Sequence, residues 1–107
     1  MTITTKKFKE MLLKYGDYNV NVRANTAPNG KRYFSGFITK DDSTIVVYVN
    51  TESCYNPHCD NKALVRYARD TKDFTGGANN YCMDVNLAFT VNQMFKSPVR
   101  YCEEFSR

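Results

Sequence analysis

The sequence predicts a single α+β domain spanning residues 1–107, with a three- or four-stranded antiparallel sheet and helices packed on one face. Two observations predict this class. An apolar stripe at helical spacing near the N-terminus is followed by three segments with strand-like patterns. The segments are joined by short connections, which favour antiparallel pairing of neighbours. We therefore expect an α-β-β-β-α core followed by a C-terminal helix.

The first helix is predicted from four apolar residues at positions i, i+3, i+4 and i+7, namely Phe8, Met11, Leu12 and Tyr15. Thr4 or Thr5 is a suitable N-cap, because a hydroxyl oxygen can accept a hydrogen bond from a free backbone N–H of the first turn. Gly16 lies where a glycine commonly ends a helix.

Three strands are expected next. In the first, Tyr18, Val20 and Val22 alternate with polar residues, and the turn signal at residues 28–30 separates it from the second strand, at 32–39. The third strand, at 44–50, is a nearly continuous apolar run. Such a run is typical of a central strand that is covered on both faces.

A second helix is predicted from about Asn61 to Thr71, with Ala63, Leu64 and Tyr67 among its inward residues. The segment from Tyr81 to Phe95 fits two patterns, alternation typical of a strand and an apolar helical face. We favour a helix over its second half.

The N-terminus shows no apolar stretch of the kind that signal peptides contain, and no run approaches the ~18 apolar residues of a membrane span. We therefore expect a protein of the cytoplasm. In that reducing compartment the four cysteines are thiols or metal ligands rather than disulfides.

One loop holds the possible zinc ligands Cys54, His58 and Cys59, with Cys82 or Cys102 in reserve. The spacing of the first two cysteines is wider than in zinc knuckles, and no second close pair follows. The alternative is that the loop cysteines are unligated thiols and that the other two are small core residues. We expect no cofactor.

No set of residues with a catalytic pattern is evident. Cys59 lies beside His58, but adjacent residues rarely direct their side chains at each other, and no third group that would orient them can be identified. The acidic pairs at 41–42 and 103–104 are typical of solvated surface. The prediction is a protein that is not an enzyme.

The net charge of +4 permits nucleic acid as a partner without arguing for it. Five basic residues could contact phosphates: Lys31, Arg32, Lys62, Arg66 and Arg69. The last three are spaced to share one face of the predicted second helix. Solvated helix faces also commonly look like this.

The predicted order of elements over residues 6–71 resembles that of the double-stranded-RNA-binding domain. The resemblance implies RNA contacts through the first helix, the hairpin at 28–30 and the start of the second helix. The lysine cluster with which that family opens its last helix is largely missing from Asn61, Lys62 and Ala63. A small nucleic-acid-binding module is therefore the alternative hypothesis for function.

A short, Asn- and Tyr-rich single domain without catalytic residues resembles the accessory proteins of phages and mobile elements, of which anti-CRISPR proteins are the best-known class. This resemblance implies a non-enzymatic inhibitor or regulator that acts in the cytoplasm of a bacterial host cell. It would cover a surface of a host protein, such as a nucleoprotein nuclease of a defence system. Its partner-binding residues are predicted to be Tyr33, Tyr48, Tyr55 and His58, with the loop at 51–61 exposed.

Overall fold

A computed structural model describes residues 4–28, 30–52, 62–74, 80–83 and 86–96. These residues form two helices and five strands: α1 (Thr5–Leu12), β1 (Asn19–Thr26), β2 (Arg32–Thr39), β3 (Val46–Asn50), β4 (Lys62–Ala68), β5 (Asn80–Met83) and α2 (Leu87–Lys96). The strands pair in chain order, and every pair is antiparallel. The α+β class and the antiparallel sheet are confirmed, and the sheet has five strands rather than three or four.

The N-cap of α1 is Thr4, whose hydroxyl oxygen accepts a hydrogen bond of 3.1 Å from the backbone N–H of Lys7. The helix ends at Leu12, and the C-cap is Leu13 rather than a glycine. The prediction that Gly16 ends the helix is therefore wrong. Gly16 instead lies against the ring of Tyr18, where an added Cβ would be 3.0 Å from the ring.

Strand β2 has the predicted bounds, and β3 lies at the centre of the sheet. The side chains of Val47, Tyr48 and Val49 are all buried, although neighbouring residues of a strand point to opposite faces. This confirms that the apolar run of β3 belongs to a strand covered on both faces.

Residues 62–68 are the strand β4, and the prediction of a helix over 61–71 is wrong. The apolar residues of this segment fit both periods, because Ala63, Val65 and Tyr67 also alternate. Pairing decides between the two, since β4 supplies partners for the backbone of β3 in a register that sets Val49 opposite Val65. Because this element is a strand, the topology of the double-stranded-RNA-binding domain does not apply.

The segment that fitted two patterns contains both elements in succession. Its first residues form the short strand β5, which pairs with β4, and its second half forms α2, as predicted. The helix ends at Lys96.

The main core lies on one face of the sheet, here called the core face. Its buried strand residues occupy matching register positions: Val22, Phe34, Ile38, Val47, Val49, Ala63 and Val65. Buried residues of both helices belong to the same cluster: Phe8, Leu12, Leu87, Val91 and Met94. Phe8 stacks on Phe34 with ring centroids 4.5 Å apart.

Candidate partner-binding surface

Three large apolar side chains are exposed where α1 ends and along the outer side of α2. Leu13, Tyr15 and Phe89 expose 41%, 46% and 49% of their surface. The rings of Tyr15 and Phe89 meet edge to face, with centroids 5.9 Å apart. Leu13 lies two residues before Tyr15 in the turn that follows α1. We call these three residues the helix-end patch.

The segment that carries the patch is tied to α2 by Tyr18. Its hydroxyl donates a 2.6 Å hydrogen bond to Oδ1 of the buried Asn92, and its ring stacks on Phe95 at 4.9 Å. Burial raises the pKa of the Tyr18 hydroxyl, because the charged tyrosinate is poorly solvated there. The turn after α1 therefore has a defined position relative to α2.

Basic residues outnumber acidic ones in the segments that carry the helix-end patch. Residues 4–18 and 86–96 contain five lysines, Glu10 and Asp17, a local net charge of +3. Lys14 places its ammonium 5.4 Å from the centroid of the Tyr15 ring, a cation–π contact. Lys96 ends α2, the helix that carries Phe89, and is exposed. Lys14 therefore places a positive charge directly beside the apolar patch.

The face of the sheet opposite the core face carries a second, smaller cluster. The rings of Phe37, Tyr48 and Phe74 pack together with centroids 5.0–6.0 Å apart. The Arg66 side chain is 2% exposed and lies 4.5 Å from the centroid of the Tyr48 ring. The turn that follows β4, residues 69–74, supplies Phe74 to this cluster.

Asp73 holds that turn to the sheet. Nη2 of Arg66 donates to the backbone carbonyl of Asp73, and Nη1 lies 3.8 Å from its carboxylate. The same carboxylate accepts hydrogen bonds from the backbone N–H and Nε of Arg69. Nη1 of Arg66 is buried without a hydrogen-bond partner in the described part of the chain. We interpret the Arg66–Asp73 pair as a structural anchor, because these two buried charges face each other rather than solvent, whereas Arg69 and Phe74 are exposed.

Neither Tyr33 nor Tyr48, two of the predicted partner-binding tyrosines, belongs to the helix-end patch. Tyr48 is 8% exposed, so the expectation that it remains on the surface is wrong. It is covered because Phe37, Phe74 and Arg66 surround its ring. Tyr33 is half-buried in β2. Tyr55 and His58, with the predicted exposed loop around them, lie outside the described residues.

The five predicted phosphate contacts are divided between the β1–β2 hairpin, β4 and the turn that follows β4. Lys31 and Arg32 are exposed at the β1–β2 hairpin, and the Arg32 guanidinium lies 5.6 Å from the Phe34 ring. Lys62 lies at the start of β4, whereas Arg66 is buried further along the same strand. Arg69 is exposed beyond its end. The shared helical face does not exist, because the segment is a strand.

The possible zinc ligands Cys54, His58, Cys59 and Cys102 lie outside the described residues. Cys82 is half-buried in β5 and packs against the main core, which confirms its interpretation as a small core residue. Within the described ranges, no three His, Cys, Asp or Glu side chains are grouped closely enough to hold a metal ion.

The helix-end patch was missed because its exposure depends on where helices end. Tyr15 fits the apolar stripe of α1 only if the helix continues past residue 15, but it stops at Leu12. Phe89 does carry a usable signal, since it lies off the apolar face formed by Leu87, Val91 and Met94. A large aromatic residue off the stripe of an amphipathic helix points to exposure.

No helix among the described residues is both long and apolar enough to cross a bilayer. Comparisons with protein-family models, with curated proteins and with solved structures found no match to this chain. The candidate surface is therefore identified from the exposure and the contacts of its own residues.

Proposed function

We propose that this chain is a non-enzymatic protein-binding module that acts as an inhibitor or regulator by covering a surface of its partner. The helix-end patch carries the proposal. Tyr15 and Phe89 form an aromatic pair at the surface. Tyr18 ties the segment that carries Tyr15 to α2, the helix that carries Phe89. Contiguous exposed apolar side chains mark interaction sites, and tyrosine is enriched among the residues that dominate binding energy.

The charge around the patch indicates the chemistry of the partner. With five lysines against two acidic residues in these segments, and Lys14 in contact with Tyr15, we infer that the complementary surface is apolar and carries acidic residues beside its apolar part. Such complementarity chiefly accelerates association, so association should slow as salt is added. A nucleoprotein nuclease of host defence remains the partner class suggested by the resemblance to anti-CRISPR proteins.

Nucleic acid binding is the less supported function. Of the three residues expected to share a helical face, Arg66 is buried and engaged with Asp73, so it is not available to a phosphate. The exposed lysines of α1 and of the β1–β2 hairpin are still accessible to phosphates, so binding of nucleic acid is tested directly. A shift assay with RNA and DNA at low salt detects it, because phosphate contacts strengthen steeply as salt falls.

The proposal is tested by photo-crosslinking from position 89. A benzophenone amino acid replaces Phe89 in one sample and Tyr81 in another, and both are exposed to lysate of the cell that encodes the chain. Tyr81 is the matched control because it is 46% exposed, like Tyr15, and belongs to the face opposite the core face. We expect one protein to crosslink at position 89 and not at 81.

The captured protein is then purified, and its affinity is measured by calorimetry. The double variant Tyr15→Ser, Phe89→Ser should weaken an equimolar complex by at least about tenfold, whereas Tyr81→Ser should not change it. Equal binding by the double variant and the wild type would refute the assignment of the patch. Binding of nucleic acid, with no protein retained, would replace the proposed function by the alternative.

A further inference from the structure

Strand β1 forms one edge of the sheet built by the described residues. All eight of its residues pair with β2, from Asn19 opposite Thr39 to Thr26 opposite Arg32. On its other side, no strand among the described residues pairs with it. The opposite edge is formed by β5, which has only four residues. The β1 edge is therefore twice as long as the β5 edge.

Hydrogen bonding at the hairpin shows which backbone groups of β1 face outward. Ala27 donates to the carbonyl of Lys31, so this is a hydrogen-bonded pair. Hydrogen-bonded and non-hydrogen-bonded pairs alternate along an antiparallel ladder. The odd-numbered residues of β1 therefore bond to β2, and the even-numbered ones direct N–H and C=O away from the sheet.

The bonds of β2 support the same assignment. The amide of Phe34 donates to the hydroxyl of Thr51, and its carbonyl accepts from the Thr51 amide, so the backbone of Phe34 is directed at the β3 side. Its neighbour on the other side is Ala24. The backbone groups of Ala24 consequently point to the free edge, as do those of Val20 and Val22.

The β1 edge lacks the devices by which monomeric proteins protect a long edge strand. Those devices include proline, lysine, bulges and short length. Residues 19–26 contain no proline and no lysine, and their pairing with β2 is continuous. Arg23 is the single charged residue of the strand. This composition favours the addition of another strand.

We propose that β1 pairs antiparallel with β1 of a second copy of the chain, about a two-fold axis that sets Val22 opposite the partner's Val22. Val20 then lies opposite the partner's Ala24, so that Val20, Val22 and Ala24 form hydrogen-bonded pairs. Thr26, the fourth outward-facing residue of β1, lies opposite Tyr18 of the partner subunit. A two-fold interface must be self-complementary, and this register satisfies that condition. The two sheets join into one.

Side chains select this register over its neighbours. On the face opposite the core face, Asn21 lies opposite the partner's Arg23, and Asn19 lies opposite the partner's Asn25. A shift of two residues towards the hairpin would set Arg23 opposite the partner's Arg23, and like charges directly opposite each other are destabilising. The reverse shift would pair Ala24 with Tyr18 of the partner subunit, which precedes the strand.

The proposal is independent of the helix-end patch, because neither Tyr15 nor Phe89 belongs to β1. It is tested by sedimentation of the full chain up to about 1 mM, a range that detects weak association. Ala24→Pro removes an amide that faces outward in the monomer, so the fold is retained while the dimer should weaken by at least about tenfold. Circular dichroism verifies that the variant is folded.

Two charge variants provide a second test that does not depend on tolerance of proline. Asn21→Asp sets a carboxylate opposite the partner's Arg23 at two symmetric positions, and should tighten the dimer roughly two- to thirtyfold. Asn21→Arg should weaken it by a similar factor. Position 21 is exposed in β1, so neither change removes a core contact.

Amide hydrogen exchange distinguishes a second copy from any other occupant. The amides of Val20, Val22 and Ala24 should exchange rapidly in dilute solution and slow down as concentration rises. Protection at every dilution would mean that the edge is covered within one chain, and would overturn the proposal. A monomer at all concentrations, or a dimer insensitive to both kinds of variant, would also overturn it.

Discussion

Arg66 brings a guanidinium into the cluster on the face opposite the core face, where the loss of hydration must be offset by contacts. It has the Asp73 carbonyl and carboxylate on one side and the Tyr48 ring on the other. One of its nitrogens still lacks a hydrogen bond within the described chain. A buried ion pair of this kind stabilises little by itself, but either partner left alone is an uncompensated buried charge.

This asymmetry gives a prediction for Asp73. Asp73→Ala should lower the free energy of unfolding by about 3–5 kcal/mol, because Arg66 stays buried and unpaired. The charge-free double variant Arg66→Met, Asp73→Leu should lose less than the single variant. Urea denaturation measures both. If the double variant loses more stability than Asp73→Ala, the ion pair contributes net stability. The unpaired charge of Arg66 would then not be the main cause of the loss in the single variant.

Tyr18 gives a prediction about pH. Burial raises its pKa, so the folded chain holds the phenolic proton more tightly than the unfolded chain. The raised pKa contributes to the free energy of unfolding, and this contribution is complete below the pKa of the unfolded chain, about 10. It is lost as pH rises through the higher pKa of Tyr18 in the folded chain. Denaturation midpoints should therefore fall above about pH 10 in the wild type, and less steeply in Tyr18→Phe.

Tyr15→Phe is the matched control, because it removes a hydroxyl from an exposed ring of the same segment. It should follow the wild type at every pH. At neutral pH, Tyr18→Phe should lower stability by about 1–3 kcal/mol, since the buried Asn92 loses its donor. Identical pH profiles for Tyr18→Phe and the wild type would show that ionisation of Tyr18 does not cause the loss of stability at high pH.

Among the elements, β2 and β4 show what local pattern can and cannot predict. The β2 segment alternates between clear turn signals, so its bounds follow from residues 28–42 alone. The β4 segment fits helix and strand equally, and the choice depends on the unpaired side of β3, which is a long-range constraint. Strand identity at β4 was therefore outside the reach of a local pattern.

The pairing of β1 with β2 depends on one glycine. A Cβ added to Gly36 would lie 2.1 Å from the Asn21 carbonyl oxygen and 2.6 Å from the Val22 Cα, both backbone atoms of β1. Gly36→Ala should therefore displace β1 and lower the free energy of unfolding by roughly 1–3 kcal/mol or more. Amide exchange of β1 should accelerate in this variant.

Gly30→Ala is the comparison, because a Cβ there meets nothing within 4 Å and the backbone has a φ of 85°. Its cost is limited to the strain of that conformation, about 1–2 kcal/mol, and should leave exchange in the middle of β1 unchanged. A larger loss for Gly30→Ala than for Gly36→Ala would show that close packing of the two strands is not the controlling factor.

For the whole molecule, the class of fold was predictable and the candidate site was not. Periodicity and short connections suffice to predict an antiparallel sheet with helices, because each strand pairs with its neighbour in the chain. The contact of Tyr15 with Phe89 joins residues far apart in sequence, and depends on how α2 lies against the segment after α1. No local pattern contains that information.

The chain-order pairing of the sheet also has a kinetic consequence. Every strand pair can form by closing a loop between consecutive segments, and contacts of low sequence separation are associated with fast folding. The hydrogen bond from Tyr18 to Asn92 spans 74 residues, so its loop-closure entropy is reduced once the strands between them have assembled. Growth of the sheet, hairpin by hairpin, sets β1 and β5 at opposite edges, so that bond forms only when α2, which follows β5, packs back against the segment before β1.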